Sequence, residues 1–419
     1  MASVLNDSDS EDELPPGWEE RATADGNVYY VNHFEKSTQW IHPRTSSKKM
    51  VAGELPPGWE KCTTDNGKTL FIDHLKCTTT YTDPRLAFAV EYRDPSQSVR
   101  QRFDASSSAL SVLHGKDLRN KVALITGSNT GIGFETAKSL AVHGCTVIMA
   151  CRNSKKAADA IRKIKSIRNN ATCEALFMDL SSLRNVKNAV NEFKQKFRYR
   201  IIIQLYNALD ILILNAGIFA HPYSLTEDGY EQTFQVNYLS QYYLTVLLED
   251  HLKISTDSRV VVVASESHRF SSILTREDIY QLKLSPSIFK YWPMDAYNNS
   301  KLCNIVFAQE LAKRWPSVSV FSCHPGNMVF TDLPRYSCFY KVLFALVRPF
   351  TKSLQQAAST VVFCATASEL EGLSNMYFSN CYRCKPSDTS LNLSLASKLW
   401  SISQDMIATA TKHTNFNTF

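Results

Sequence analysis

No stretch of this 419-residue sequence reaches 18 uninterrupted apolar residues, so no membrane-spanning helix is expected. No basic residue precedes Asp7, Asp9, Glu11, Asp12 and Glu13, the opposite of a signal or transit peptide, and a cytoplasmic location is expected. Charge of one sign is also scarce. A formal net charge of +6 over the whole length gives little reason to expect a nucleic-acid partner. The eleven cysteines are an odd number scattered along the chain, which suits free thiols better than a disulfide framework. What is present is ordinary for a soluble globular protein: 44% hydrophobic residues, 21% charged, mean hydropathy −0.22. The length predicts two or three folded units.

The sequence repeats itself near its start. LPPGWE occurs at Leu14–Glu19 and again at Leu55–Glu60, and the register then holds, with His33 matching His74 and Pro43 matching Pro84. The β-branched and aromatic runs from Asn27 to Asn32 and from Thr69 to Asp73 follow Asp25-Gly26 and Asn66-Gly67, which are strong hairpin turns. Each copy therefore predicts a three-stranded antiparallel sheet, and two copies are too few to close a propeller. From Glu91 to about Ser111 the chain is polar and without period. Beyond Lys121, short apolar runs such as VALIT, TVIMA, LDILILNAG and RVVVVAS alternate with helical stretches, the pattern of a parallel sheet covered on both faces. The fold expected is α/β, a doubly wound parallel sheet (Rossmann-type) preceded by two small antiparallel β modules. Its parts are an acidic tail (1–13), a first module (14–44), a linker (45–54), a second module (55–86), a linker (87–114), the α/β domain (115–390) and a C-terminal helical tail (391–419).

The first strand of that sheet runs into Gly127, Ser128, Asn129, Thr130, Gly131, Ile132 and Gly133 and then a helix. Glycines in this place let the backbone approach a pyrophosphate, whose charge sits at the helix N-terminus. The second strand ends in Ala150-Cys151-Arg152-Asn153, with no acid to bond a ribose 2′-hydroxyl. Arg152 is either a surface arginine or the partner of a 2′-phosphate, which would make the cofactor NADP. Tyr297 and Lys301 are four residues apart in a predicted helix, hence on one face, and a cation beside a phenol can ready it for acid/base work. Any chain with eighteen tyrosines offers one such pair by chance.

Taken together in this order, TGSNTGIG, LNAG at 214–217, Asn237, Ser265 after a run of valines, Tyr297 with Lys301, and Pro325-Gly326 resemble the short-chain dehydrogenase/reductase family over roughly residues 121–384. The two N-terminal copies resemble WW modules, and the whole layout resembles oxidoreductases that carry such modules. The resemblance implies that Tyr297 is the general acid/base and that Lys301 lowers its pKa and bonds the nicotinamide ribose. It implies that Ser265 polarises the substrate oxygen and that Asn237 orders a relay water. Asn215, Ala216 and Gly217 would flank the adenine-ribose side, Asp179 and Leu180 would contact the adenine, and Pro325 and Gly326 would complete the cofactor site. It implies, too, that the first module binds Pro-Pro-x-Tyr proteins, with Tyr30 and Trp40 as aromatic walls, Val31 and His33 receiving the tyrosine, and Thr38 beside them. The alternative is an adaptor that regulates transcription and apoptosis through proline-rich partners, with the reductase fold as scaffold or cofactor sensor. Nuclear and mitochondrial locations follow from the same resemblance.

Segments 268–293 and 328–352 correspond to those that cover the site in this family, and the second is apolar. That fits either a lid for a steroid-like or retinoid-like alcohol or ketone, or a helix buried on the core. Three features depart from the pattern. Residues 198–207 look long, either a misread junction or a lengthened helix. Lys48 and Lys49 are too short a basic pair for a nuclear signal. The second module has Tyr81 where a tryptophan belongs, so Phe71 and Tyr81 would form a weaker wall. No metal site is expected: Cys381 and Cys384 lack a second ligand pair, and His33 and His74 lie in separate modules.

Overall fold

The computed structural model describes residues 14–23, 26–43, 49–51, 55–56, 58–64, 69–88, 90–91, 101–201, 209–326 and 352–415. The acidic tail 1–13, Asp25, Arg44, Lys48, Asn66-Gly67, 202–207 and 328–351 lie outside the described residues. Two compact units divide the chain, Met1–Ser98 and Val99–Phe419.

The smaller unit holds two antiparallel sheets, β1 (Trp18–Ala22), β2 (Val28–Asn32) and β3 (Ser37–Gln39), then β5 (Trp59–Thr63), β6 (Thr69–Asp73) and β7 (Thr78–Thr80). Alternation decides what each strand residue does. In β2, Val28, Tyr30 and Asn32 are buried, while Tyr29 and Val31 turn to the other face. A short ladder between β4 (Lys49–Met50) and β8 (Val90–Glu91) also forms, and the Val51 N–H donates to the Gly26 carbonyl at 2.8 Å. Parts of both expected linkers, 45–54 and 87–114, are therefore structured. The second of them also supplies a helical turn, α1 (Ala109–Val112), capped by Ser108 and burying Ala109, Val112 and Leu113 in the core of the larger unit.

The larger unit is built on an eight-stranded sheet. Its strands are β9 (Val122–Thr126), β10 (Thr146–Cys151), β11 (Cys173–Phe177), β12 (Ile211–Leu214), β13 (Arg259–Val263), β14 (Ser319–His324), β15 (Met376–Ser379) and β16 (Tyr382–Cys384), in the order β11-β10-β9-β12-β13-β14-β15-β16. All pairs are parallel except β15–β16. The central strands are buried along their whole length because helices cover both faces. Helix α2 (Gly131–Val142) follows β9, α3 (Ser154–Ile167) follows β10, and α4 (Leu183–Ile201) follows β11. In α4 the buried Leu183, Val186, Val190 and Phe193 recur at helical spacing, and the helix runs on into the 198–207 segment as far as Ile201. The strand order reverses between β9 and β12, and that crevice, at the C-terminal ends of the strands, is where a doubly wound sheet places its ligand site. Helices α5 (Pro293–Arg314) and α6 (Leu393–Asn415) complete one face. The expected C-terminal tail is thus part of the core: Trp400 packs edge-on to Tyr242 and is stacked with Phe307, and Arg314 lies over its indole.

Candidate active site and peptide-binding face

The glycine loop sits at the crevice. Gly127 has φ +63°, and a Cβ there would meet Ala216 at 3.0 Å; at Gly133 it would meet the Asn215 amide at 2.4 Å and the Gly127 carbonyl at 2.5 Å. The backbone can adopt this close turn only without side chains. Thr130 caps α2 without a side-chain hydrogen bond, so no protein side chain occupies the first-turn N–H groups from that position. A cradle of this kind fits a dinucleotide pyrophosphate. Ser128, by contrast, is buried with its hydroxyl donating to the Ile125 carbonyl at 3.0 Å, and contributes to the loop rather than presenting its side chain to the crevice. Asn129, Gly131 and Ile132 are half-buried and Thr130 is exposed.

Asn215 also faces the loop: its amide donates to the carbonyls of Thr126 (2.9 Å) and Gly127 (3.3 Å). Thr126 ties the same region together, accepting from the Asn215 and Ala216 N–H groups at 3.0 Å and donating to Gln241 at 2.9 Å. Asn215 therefore holds the crevice floor, a role the sequence did not reveal. Asp179, after β11, accepts from the Ser181 N–H and hydroxyl, and the Leu180 carbonyl accepts from Ser240, which fixes both at the strand ends. Arg152, at the end of β10, is exposed with no hydrogen bond or ion pair among the described residues. Pro325 and Gly326 are buried just beyond β14, with Gly326 at φ +114°.

Next to the loop, α5 brings Tyr297 and Lys301 together as their spacing predicts, the ammonium 5.7 Å from the phenol ring centroid. Both are buried. Burial pushes the Tyr297 phenol up to about 12, and a hydrogen bond from Ser265 draws it partly back. Burial lowers Lys301 to about 8, and its Nζ donates to the Val263 carbonyl at 2.9 Å. Burial of the phenol acts in the opposite direction to the lowering expected from Lys301. Asn237 lies in a π-helical turn, Gln235–Leu239, where one extra residue per turn re-aims a side chain. It accepts from the Ile218 N–H at 2.8 Å and donates to the Ile218 carbonyl and the Ser300 hydroxyl at 3.0 Å. A Cβ on Gly217 would stand 3.5 Å from the Asn237 oxygen and 3.7 Å from Lys301 Nζ, ordinary van der Waals contact with both, so Gly217 lies close to these two groups. Phe219 packs edge-on to Tyr297, centroids 4.8 Å apart. Two residues in this assembly escaped the sequence reading. Gln241 could have been found four residues after Asn237 on the same helical face; nothing in the sequence pairs Phe219 with Tyr297.

In the small unit one assignment is corrected. Tyr30 has no exposed surface; its ring lies edge-on to His42 at 5.1 Å and its hydroxyl donates to Glu20. Tyr30 opposes Gln39, so the residue opposite Trp40 is Tyr29, and those two rings meet at 5.8 Å. Tyr29, Val31, Thr38 and the 54% exposed Trp40 thus share one face, with His33 bonded to Glu19 at 2.7 Å beside it. The same shift applies in the second copy: Phe71 is buried, and exposed Tyr81 stands opposite Leu70. Cys381 is buried against Ser359 and Thr360, and His74 bonds Glu60 of its own module.

Comparison with known proteins agrees with this geometry. The short chain dehydrogenase family model matches residues 121–275 and the WW domain model matches 14–43. The chain is 55% identical to the WW domain-containing oxidoreductase of Drosophila melanogaster, over 97% of this chain and 98% of that one. It is 38% identical to retinol dehydrogenase 12 of Mus musculus, over 68% of this chain and 86% of that protein. Among solved structures, an uncharacterized protein from Mycobacterium paratuberculosis aligns with a TM-score of 0.54 and 25% identity, covering 73% of this chain and 97% of that one.

Proposed function

Because this chain belongs to the WW domain-containing oxidoreductases, whose catalytic part is of the short-chain dehydrogenase/reductase family, we propose that it moves hydride between NADP and an apolar alcohol or ketone. The observation that carries the chemistry is the buried Tyr297. Desolvation keeps its phenol protonated at neutral pH, which suits a proton donor to a substrate carbonyl. Ser265, hydrogen-bonded to it, would hold the same oxygen, and the nicotinamide supplies the hydride. Lys301, depressed toward neutrality, exchanges protons readily, and Asn237, which like Lys301 lies close to Gly217, would order a relay water. NADP is favoured over NAD by an exposed guanidinium at Arg152 with no carboxylate at the end of β10.

The substrate class rests on the 268–293 segment, which runs from just after Ser265 into the helix of Tyr297 and leaves Phe270, Leu274, Ile288, Phe289 and Trp292 exposed, and on similarity to a protein named for retinol. A steroid or retinoid fits such a rim. The first module, with Tyr29 and Trp40 as walls, would bring the enzyme to Pro-Pro-x-Tyr partners in cytoplasm, nucleus or mitochondrion. The exposed Trp40 also favours a second reading, in which partner binding is the main activity and the reductase is a scaffold. Incubating the purified chain with NADPH and a panel of retinoid and steroid carbonyl compounds tests the first reading. NADPH oxidation that Tyr297→Phe abolishes supports it; no turnover on any member, with cofactor bound, favours the scaffold.

A further inference from the structure

The formal charge of the whole chain, +6, is matched by residues 152–168 alone, where seven basic side chains stand against one acid, Asp159. The rest of the chain is balanced. Helix α3 carries most of this stretch and buries only Ala157, Ala160 and Ile164; Ile161 is half-buried against the core and its other positions are exposed. Lys155 and Lys156 lie in its first turn, with no acid there, where a cation opposes the helix dipole. Arg162 pairs with Asp159, but Lys155, Lys163 and Lys165 have no ion-pair partner among the described residues. The two lysines of the first turn cost the helix stability, whereas Lys165 in its last turn suits the dipole and Arg168, just beyond it, donates to the Val142 carbonyl.

The cofactor explains only one end of it. At 1.5 Å per residue, Lys165 lies roughly 15–20 Å along the helix from Asn153, beyond reach of a phosphate held at Arg152. The surface also carries bare apolar groups. Ile167, at the last position of α3, is 64% exposed. The neighbouring β11 is an edge strand, and alternation places Ala175 and the 47% exposed Phe177 on the same face as Cys173, which packs in the core with Ala160 and Ile164. Cations interspersed with exposed apolar side chains fit the interface of an anionic bilayer, where the charges meet headgroups and the apolar groups enter the acyl boundary. A nucleic acid would give Ile167 nothing to bury against, and α3 has no aromatic residue for base stacking.

We propose that α3 and the edge of β11 form a peripheral docking face for an anionic lipid bilayer. The face touches the membrane without crossing it, and it stands apart from the substrate assignment. The test is co-sedimentation of the full chain with vesicles of phosphatidylcholine alone and of phosphatidylcholine mixed with phosphatidylserine, in low and high salt. Binding to the mixed vesicles only, weakened by salt, is expected. The double variant K163E/K165E should lose that binding at least tenfold while NADPH binding, read by quenching of tryptophan fluorescence, stays unchanged and reports a folded unit. Ile167→Ser should weaken binding severalfold at constant charge. Equal sedimentation with neutral and mixed vesicles, no sedimentation with either, or an unchanged double variant would overturn the proposal. So would displacement from the vesicles by a stoichiometric amount of duplex DNA, which would assign the face to nucleic acid.

Discussion

Tyr29 and Tyr297 are the same side chain set in opposite surroundings. On a three-stranded sheet with almost no interior, Tyr29 stays at the surface beside Trp40, and its value lies in a flat apolar wall with a wet edge. In the large unit Tyr297 is enclosed by Phe219, Ala220 and Met294, and its value lies in a hydroxyl whose proton is hard to remove. The scale of the surrounding core decides which property of the residue is available.

Four experiments break or sharpen this contrast. The largest effect is expected from Tyr297→Phe, which keeps the ring against Phe219 and removes the proton donor: kcat should fall roughly 10³-fold with NADPH affinity retained. Turnover at the unmodified rate would show that the enclosed hydroxyl is not the acid. Next, Trp40→Ala should weaken a Pro-Pro-x-Tyr peptide by about 2 kcal/mol or more in calorimetric titration of the tandem modules. Tyr29→Ala should follow it and Tyr30→Ala should instead lower thermal stability, because only the first lies on the face shared with Trp40. Arg152→Ala is expected to cost NADPH about tenfold in affinity and NADH little; equal losses would remove the guanidinium from the phosphate site. The smallest effect is a gain: Tyr81→Trp in the second module, opposite Leu70 rather than a tyrosine, should raise peptide affinity only a few-fold, since one wall is still missing.

The enclosure of the site also has a pH signature. Lys301 is depressed to about 8 in the folded chain, so between about pH 8 and 10.5 the unfolded chain binds more protons at this residue, and its contribution to stability rises with pH. Replacing Lys301 with Met should flatten that rise in melting temperatures measured across the window. A rise of unchanged slope would place its origin elsewhere.

What could be read from the sequence was what local chemistry dictates. The glycine loop after VALIT, the face shared by Tyr297 and Lys301, and the alternation of strands and helices each follow from spacing and conformational preference. The Tyr29/Tyr30 assignment failed because adjacent tyrosines in VYYV fit either face; only the pairing of Tyr30 with Gln39 decides it. The β4–β8 ladder was invisible, as strands of two residues have no period to detect. The fate of the Asn215 amide depends on a backbone 88 residues earlier in the chain. The rise of the Tyr297 phenol comes from burial, a property of the assembled core that no spacing reveals.

The packing of Trp400 against Tyr242 and Phe307 bears on how the protein comes into being at the ribosome. Helix α5, which bears Tyr297, keeps an open flank on this side until residues 393–415 have been synthesised and have left the exit tunnel. The first WW module ends at Pro43, some 350 residues before Leu393, and domains fold as they emerge. A ligand of the WW module can therefore be met while the helix that bears Tyr297 is still uncovered, and one bound that early would accompany the larger unit through its own folding.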